Sequence, residues 1–233
     1  KYVFETYCYD CAYFFEDDMV LSEQYLETMD AIWDTVADLD QVAYFAAYGD
    51  HLQSRNEAAF DASTVTTLQH HWAFGLKRAH WVEMRELIQP YFDIVSGKDY
   101  RHRDWFSIAN WYNSLGIASN ASSQDSVKAL ATNLLKRWRM NTVACLGNYI
   151  GEEGLNFTPA HYRSMGFGQT QVFPSALKNI KLPSADEISQ IIELERAVYR
   201  DINERNASFL AFMNKPADEI DIRNAYLYIF GRE

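Results

Sequence analysis

The 233-residue sequence has few residues that break or cross-link a chain: three cysteines, five prolines and ten glycines. An odd, small number of cysteines does not make a disulfide framework. So little glycine and proline excludes collagen-like and low-complexity chains. No apolar run approaches the roughly 18 residues that a membrane span needs. We therefore expect a soluble globular protein that does not bind a membrane.

The three cysteines are Cys8, Cys11 and Cys145. Cys8 and Cys11 form a Cys-x-x-Cys pair, but a zinc site needs a second such pair and a redox motif needs a βαβ setting. We interpret all three as structural thiols, and whether Cys8 and Cys11 are paired stays open. Few cysteines favour a cytoplasmic protein, whereas a chain starting at Lys1 rather than Met allows a processed, exported one.

Basic residues are missing from the N-terminal part of the chain. No Lys or Arg occurs from Tyr2 to Ser54, and residues 1–60 hold thirteen acidic and two basic residues. The remaining residues carry acidic and basic side chains in equal number. This part would repel phosphates, so we expect no nucleic-acid binding by it, and it suits a basic partner or a cation.

Hydrophobic residues recur mainly at helical spacing, which predicts an all-α, single-domain multi-helix bundle over 1–233 with an acidic N-terminal part, 1–60. Ser184 and Glu187 form a capping box at the start of one helix. Pro90 is expected to end another at Gln89. We predict about seven main helices and no confident strand; the helices lie near 22–38, 40–60, 63–89, 105–115, 124–150, 184–212 and 217–230.

The first predicted helix carries a row of carboxylates opposite its apolar face, spaced three or four residues apart. Such a row can be a solvated surface, or it can steer and bind a basic partner. From it we predict an acidic interaction protein that binds or inhibits a basic protein, in the manner of an immunity protein or inhibitor. The predicted partner-binding residues are Glu23, Glu27, Asp30, Asp34 and Asp38.

The alternative function is a helical metal-dependent enzyme with a carboxylate or histidine site in the bundle. Glu16-Asp17-Asp18, followed by Glu23, resembles the aspartate-rich segment of isoprenoid synthases. That resemblance implies helix-borne carboxylates, Asp17 and Asp18 among them, that hold Mg²⁺ against a diphosphate. The second metal-binding segment of those enzymes is not evident between residues 130 and 205.

His80 and Glu83 also stand on one face of a predicted helix, in the reverse order of the Glu-x-x-His pairs of di-iron bundles. His70 and His71 would diverge by about 100° on a helix and would not share a metal. The sequence has no nucleophile elbow, Walker lysine motif or dinucleotide fingerprint. We therefore favour a non-enzyme, assign no catalytic residue, and predict no cofactor and no metal; the oligomeric state stays open.

Overall fold

The computed structural model describes residues 2–52, 61–117, 119, 121–153 and 158–213; the side chains of 202 and 205–213 are outside this description. A π-helix covers Tyr2–Thr6, and 3₁₀ turns cover Tyr100–His102 and Phe167–Gln169. The strands and α-helices are, in chain order, β1 (Cys11–Phe15), β2 (Met19–Leu21), α1 (Tyr25–Val36), β3 (Val42–Ala46), β4 (Val65–Thr67), β5 (Ala73–Lys77), α2 (Arg78–Val95), α3 (Trp105–Ser114), α4 (Gln124–Leu134), β6 (Trp138–Thr142), β7 (Gly147–Tyr149), α5 (Pro159–Met165) and α6 (Ala185–Met213).

The predicted all-α helical bundle is wrong, because a mixed sheet forms the centre of the chain. Five strands pair in the order β1-β5-β3-β6-β4; β3 and β6 are parallel and the other neighbours are antiparallel. β2 and β7 form a separate antiparallel pair. The acidic part, 1–60, therefore contains strands as well as a helix.

Buried strands explain the error. All five residues of β3, β5 and β6 are buried. β3 reads as a short continuous apolar run, which periodicity alone does not distinguish from buried helix. β6 is buried although it contains Arg139, Asn141 and Thr142, so neither an apolar run nor an alternation marks it. The helices predicted at 40–60 and 63–89 therefore contain β3, β4 and β5, and the one at 124–150 breaks into α4, β6 and β7.

Other local predictions are confirmed or corrected individually. Ser184 and Glu187 form the predicted capping box, since Ser184 N–H donates to Glu187 Oε2 (2.8 Å) and Glu187 N–H donates to Ser184 Oγ (3.3 Å). Helix α2 runs through Pro90 to Val95 instead of ending at Gln89. The helix predicted at 217–230 lies outside the described residues.

The chain divides into two compact units, residues 1–93 with 123–196, and residues 94–122 with 197–233. The second unit contains α3, where the Tyr112 hydroxyl donates to Ala121 O (2.9 Å). There the Asn203 amide also donates to Gly116 O (2.7 Å). The larger unit contains the five-stranded sheet and all the site residues discussed below.

Helices cover both faces of the sheet in the larger unit. Consecutive residues of a strand point to opposite faces. The Phe45 ring of β3 stacks with Trp33 of α1, with ring centroids 6.2 Å apart. On the other face, the Tyr44 hydroxyl donates to Met84 Sδ of α2 (3.0 Å). None of the helices in the described part of the chain has the length and apolarity needed to cross a bilayer.

Candidate functional site

The candidate site lies at the sheet edge where the parallel strands β3 and β6 end. β5 is antiparallel to β3 and therefore begins at this edge. β1 is antiparallel to β5 and therefore ends at the same edge. The link from β4 to β5 brings His70, His71 and Trp72 to the edge, and the residue after β1 is Glu16. Open α/β sheets commonly bind ligands outside the carboxyl ends of their parallel strands.

The ends of β3 and β6 are held together by Asn141 of β6. Its side chain accepts a hydrogen bond from Gly49 N–H (3.2 Å) and donates to Gly49 O (3.0 Å). Gly49 has φ +89°, and a Cβ there would lie 2.3 Å from Cα of Cys145. Only glycine fits this turn, which brings the two strand ends against each other beside the site.

His71 is buried at the centre of the cluster. Its ring lies edge-on to Tyr44, with centroids 4.8 Å apart, and its Nδ1 is 3.4 Å from Asp125 Oδ1. This long Nδ1 contact is the one through which the ring acts on Asp125, and Nε2 completes no hydrogen bond with any residue that the structure describes. Burial lowers the pKa of His71 to about 4, against the opposing effect of Asp125, so the ring is neutral at pH 7.

Asp125 lies in the first turn of α4, where the helix dipole favours a carboxylate. Ser123 caps this helix by accepting a hydrogen bond from Ser126 N–H (3.1 Å). The second Asp125 oxygen is 4.0 Å from Nδ1 of His70, whose side chain is 40% exposed. Burial alone would raise the pKa of Asp125, but His71 and Lys128 outweigh it and hold that pKa below its usual value.

Glu16 joins the same cluster from the end of β1. Its N–H donates to Trp72 O (2.7 Å), and its Oε1 accepts from Gln124 Nε2 (2.8 Å). Burial raises the pKa of Glu16; Lys128 opposes this shift, while the charges of Asp125 and Asp18 add to it. Asp18 and Asp125 therefore both lie within electrostatic reach of Glu16.

An aromatic stack borders the carboxylates. The Trp72 ring is parallel to the His70 ring and nearly parallel to the Tyr149 ring, with both centroid distances 4.2 Å. The Tyr149 hydroxyl hydrogen-bonds to Asp18, and burial together with this carboxylate raises the pKa of Tyr149. The stack thus connects Asp18 to His70 across one rigid surface.

Sequence comparisons add no assignment to this geometry. No protein-family model and no curated protein sequence matches the chain. The chemistry of the site is therefore inferred from the residues and their positions.

The five predicted partner-binding carboxylates are all exposed. Three lie on α1, and Glu23 and Asp38 flank it, since α1 begins at Tyr25 and ends at Val36. Two of the five have partners within the chain: Glu27 pairs with Lys178 (3.0 Å), and Asp30 accepts from the Tyr13 hydroxyl (2.8 Å). The predicted row of exposed carboxylates is therefore present, and its function stays a prediction.

The four predicted metal candidates lie in two separate places, the turn after β1 and the first half of α2. Asp17 and Asp18 lie in the turn after β1, not on a helix as the isoprenoid-synthase resemblance implies. His80 is buried 4.0 Å from Glu83, which is paired with Arg137 (2.7 Å). Within the described ranges, no three His, Cys, Asp or Glu side chains are arranged to hold a metal by themselves.

Sequence reasoning missed Glu16, His70, His71 and Asp125 as one site. The two histidines were expected to diverge because a helix was assumed; in the extended link before β5, both lie within 4.0 Å of Asp125. A usable signal is the short length and aromatic content of the apolar runs at 11–15 and 42–46, which favour strands over helices and place Glu16 directly after a strand. Asp125 has no comparable sequence signal, because only the tertiary fold brings α4 to this edge.

Proposed function

We propose that the chain is a divalent-cation-dependent enzyme that acts on a phosphorylated substrate at the cluster of Glu16, Asp18 and Asp125. The observation that supports it is the convergence of three carboxylates and two histidines, from separate segments, at the carboxyl ends of the parallel strands.

The charge of the cluster favours a cation. Three carboxylates are set against Lys128, whose charge acts on both Glu16 and Asp125. Lys128 is itself held against the Phe74 ring, with Nζ 4.6 Å from the centroid. Excess negative charge in a partly buried site is costly without a counter-charge, and a bound divalent cation supplies one.

A phosphorylated substrate follows from the kind of cation site. Mg²⁺ is usually held by one or two carboxylates together with waters and substrate phosphates, rather than by a cage of protein ligands. Glu16 and Asp125, whose charges interact, would supply the two carboxylates for this mode, although the described residues contain no three-ligand group. The proposal departs from the sequence-based expectation of a non-enzyme without a metal.

The histidines have separate roles in this proposal. His70 is partly exposed beside Asp125 and is the candidate proton acceptor or donor for the substrate. His71 is buried and positions Asp125 through its Nδ1, which contacts the carboxylate from the interior of the protein. Orientation of a ligand carboxylate by a buried neighbour is a common feature of metal sites.

Calorimetric titration with Mn²⁺, with and without pyrophosphate, tests the proposal. We expect Mn²⁺ to bind, pyrophosphate to bind only when Mn²⁺ is present, and Glu16→Gln or Asp125→Asn to weaken Mn²⁺ binding at least about tenfold. Asp17→Asn is the matched control, because Asp17 is exposed in the adjacent turn. Absence of Mn²⁺ binding in the wild type, or an equal loss in the control, would contradict the proposal. Circular dichroism checks that each variant is folded.

A second candidate function is the binding of a basic protein segment to the carboxylates of α1. It is favoured by the exposure of all five carboxylates along a part of the chain without a base from Tyr2 to Ser54. Replacing Glu27, Asp30 and Asp34 by Lys is expected to abolish binding of a Lys/Ser peptide and its salt dependence. Unchanged affinity in that variant would refute this function.

A further inference from the structure

A cleft of about 660 Å³ lies where α1 ends and α2 begins. Its apolar lining comes from Trp33 of α1, from Ala37 directly after α1, and from Ala79 and Val82 of α2. Charged residues on both sides, Asp10 and Asp38 against Lys77 and Arg78, complete the lining. Val82 is 53% exposed, so an apolar surface is open to solvent at this point.

The positive charge of Lys77 is committed to the protein. Its ammonium donates to the carbonyl oxygens of Val36, Ala37 (3.1 Å) and Leu39 (2.8 Å) at the end of α1. Val36 O and Leu39 O also accept backbone hydrogen bonds, from Leu39 N–H and Val42 N–H. The side chain is 6% exposed. The ammonium of Lys77 is therefore engaged within the protein. Arg78 is the other basic lining residue, and Asp10 and Asp38, with Asp30 and Asp34 nearby on α1, outnumber it.

The cleft and the carboxylate row are neighbours on α1. At about 100° per residue, Trp33 and Ala37 form a stripe directly beside the one that carries Asp30, Asp34 and Asp38. Asp38 belongs to both, since it is a predicted partner-binding residue and a lining residue of the cleft. An apolar cavity next to a row of negative charge is complementary to an apolar side chain flanked by basic residues.

We propose that this cleft takes an apolar anchor side chain, such as Leu or Trp, from the basic segment that the carboxylate row binds. The inference rests on the second candidate function and specifies its partner. Carboxylates at the rim steer the segment, and one desolvated anchor in a pocket supplies most of the binding energy, as is general for protein interfaces.

Two synthetic peptides of equal charge test the anchor. Both are Lys-rich; one has Leu at its centre and the other has Ser. The wild-type chain is expected to bind the Leu peptide at least about tenfold more tightly, because the cleft removes the Leu side chain from water and tenfold corresponds to only about 1.4 kcal/mol. Binding of both peptides should weaken as salt increases.

Variants separate this inference from the function on which it rests. Ala79→Trp fills the cleft from an exposed position and should remove the preference for Leu while leaving the Ser peptide's affinity unchanged. Ala160→Trp, at an exposed position of α5, is the matched control and should keep the preference. Equal binding of both peptides by the wild type refutes the anchor alone, whereas failure of both to bind refutes the partner-binding function as well.

Discussion

His80 makes the stability of the fold depend on pH in a calculable way. It is 3% exposed, its ring lies edge-on to Tyr44, and its Nε2 is 3.5 Å from Thr132 Oγ1. Burial lowers its pKa from the ordinary 6.5 to about 3, and the charges of Arg137 and His71 act in the same direction. Glu83 is the carboxylate facing it, at 4.0 Å.

The sign follows from where the proton binds. Between pH 6.5 and 3 the unfolded chain binds a proton at His80 and the folded chain does not, so acid favours unfolding. Above pH 6.5 the ring is neutral in both states and His80 costs the fold nothing. As pH falls below 6.5, protonation of the unfolded chain lowers the free energy of unfolding. Because one pKa unit corresponds to about 1.4 kcal/mol, His80 alone should lower the free energy of unfolding by about 2 kcal/mol from pH 7 to pH 5.

Urea denaturation at pH 7, 6 and 5 measures this contribution. We expect His80→Leu to lose about 2 kcal/mol less than the wild type over that range, because groups elsewhere titrate equally in both proteins. His102→Gln is the control: its side chain is 80% exposed, so unfolding changes its solvation little. The reasoning is refuted if His80→Leu and the wild type lose the same stability between pH 7 and pH 5.

Two further substitutions test the packing around the sheet. Gly49→Ala should destabilise the fold by about 3 kcal/mol or more in urea denaturation, because its Cβ meets the Cys145 backbone at 2.3 Å. Gly97→Ala, at φ +69° with open space around it, should cost about 1 kcal/mol; equal losses would contradict the close approach at Gly49. Lys77→Met should cost about 2 kcal/mol, because three carbonyls at the end of α1 lose a charged donor, while Val36 O and Leu39 O keep their backbone donors. A loss below about 0.5 kcal/mol, the usual effect of a surface substitution, would contradict a structural role of this ammonium.

The parts of the fold that the sequence predicts are those with a local signal. The capping box of Ser184 and Glu187 depends on neighbouring residues alone, and it is found where the local rule places it. The exposure of the α1 carboxylates also follows from the helical spacing of the apolar residues alone, because those apolar residues form the opposite, buried face of the helix.

The sheet and the site depend on contacts between distant residues. β3 pairs with β6 across about 95 residues, and a buried strand such as 42–46 has no alternation to identify it. Interpreting 63–89 as one helix separates His70 from His71, and nothing local joins either histidine to Asp125 on α4. The error in fold class therefore led directly to the missed site.

A crystal structure of the wild-type chain with Mn²⁺ and pyrophosphate tests the central claim most directly. The proposed function predicts an anomalous peak about 2.1 Å from carboxylate oxygens of Glu16 or Asp125, with pyrophosphate oxygens completing the coordination beside His70. A peak only at the exposed carboxylates of α1, or pyrophosphate bound away from the edge where β3 and β6 end, would contradict it.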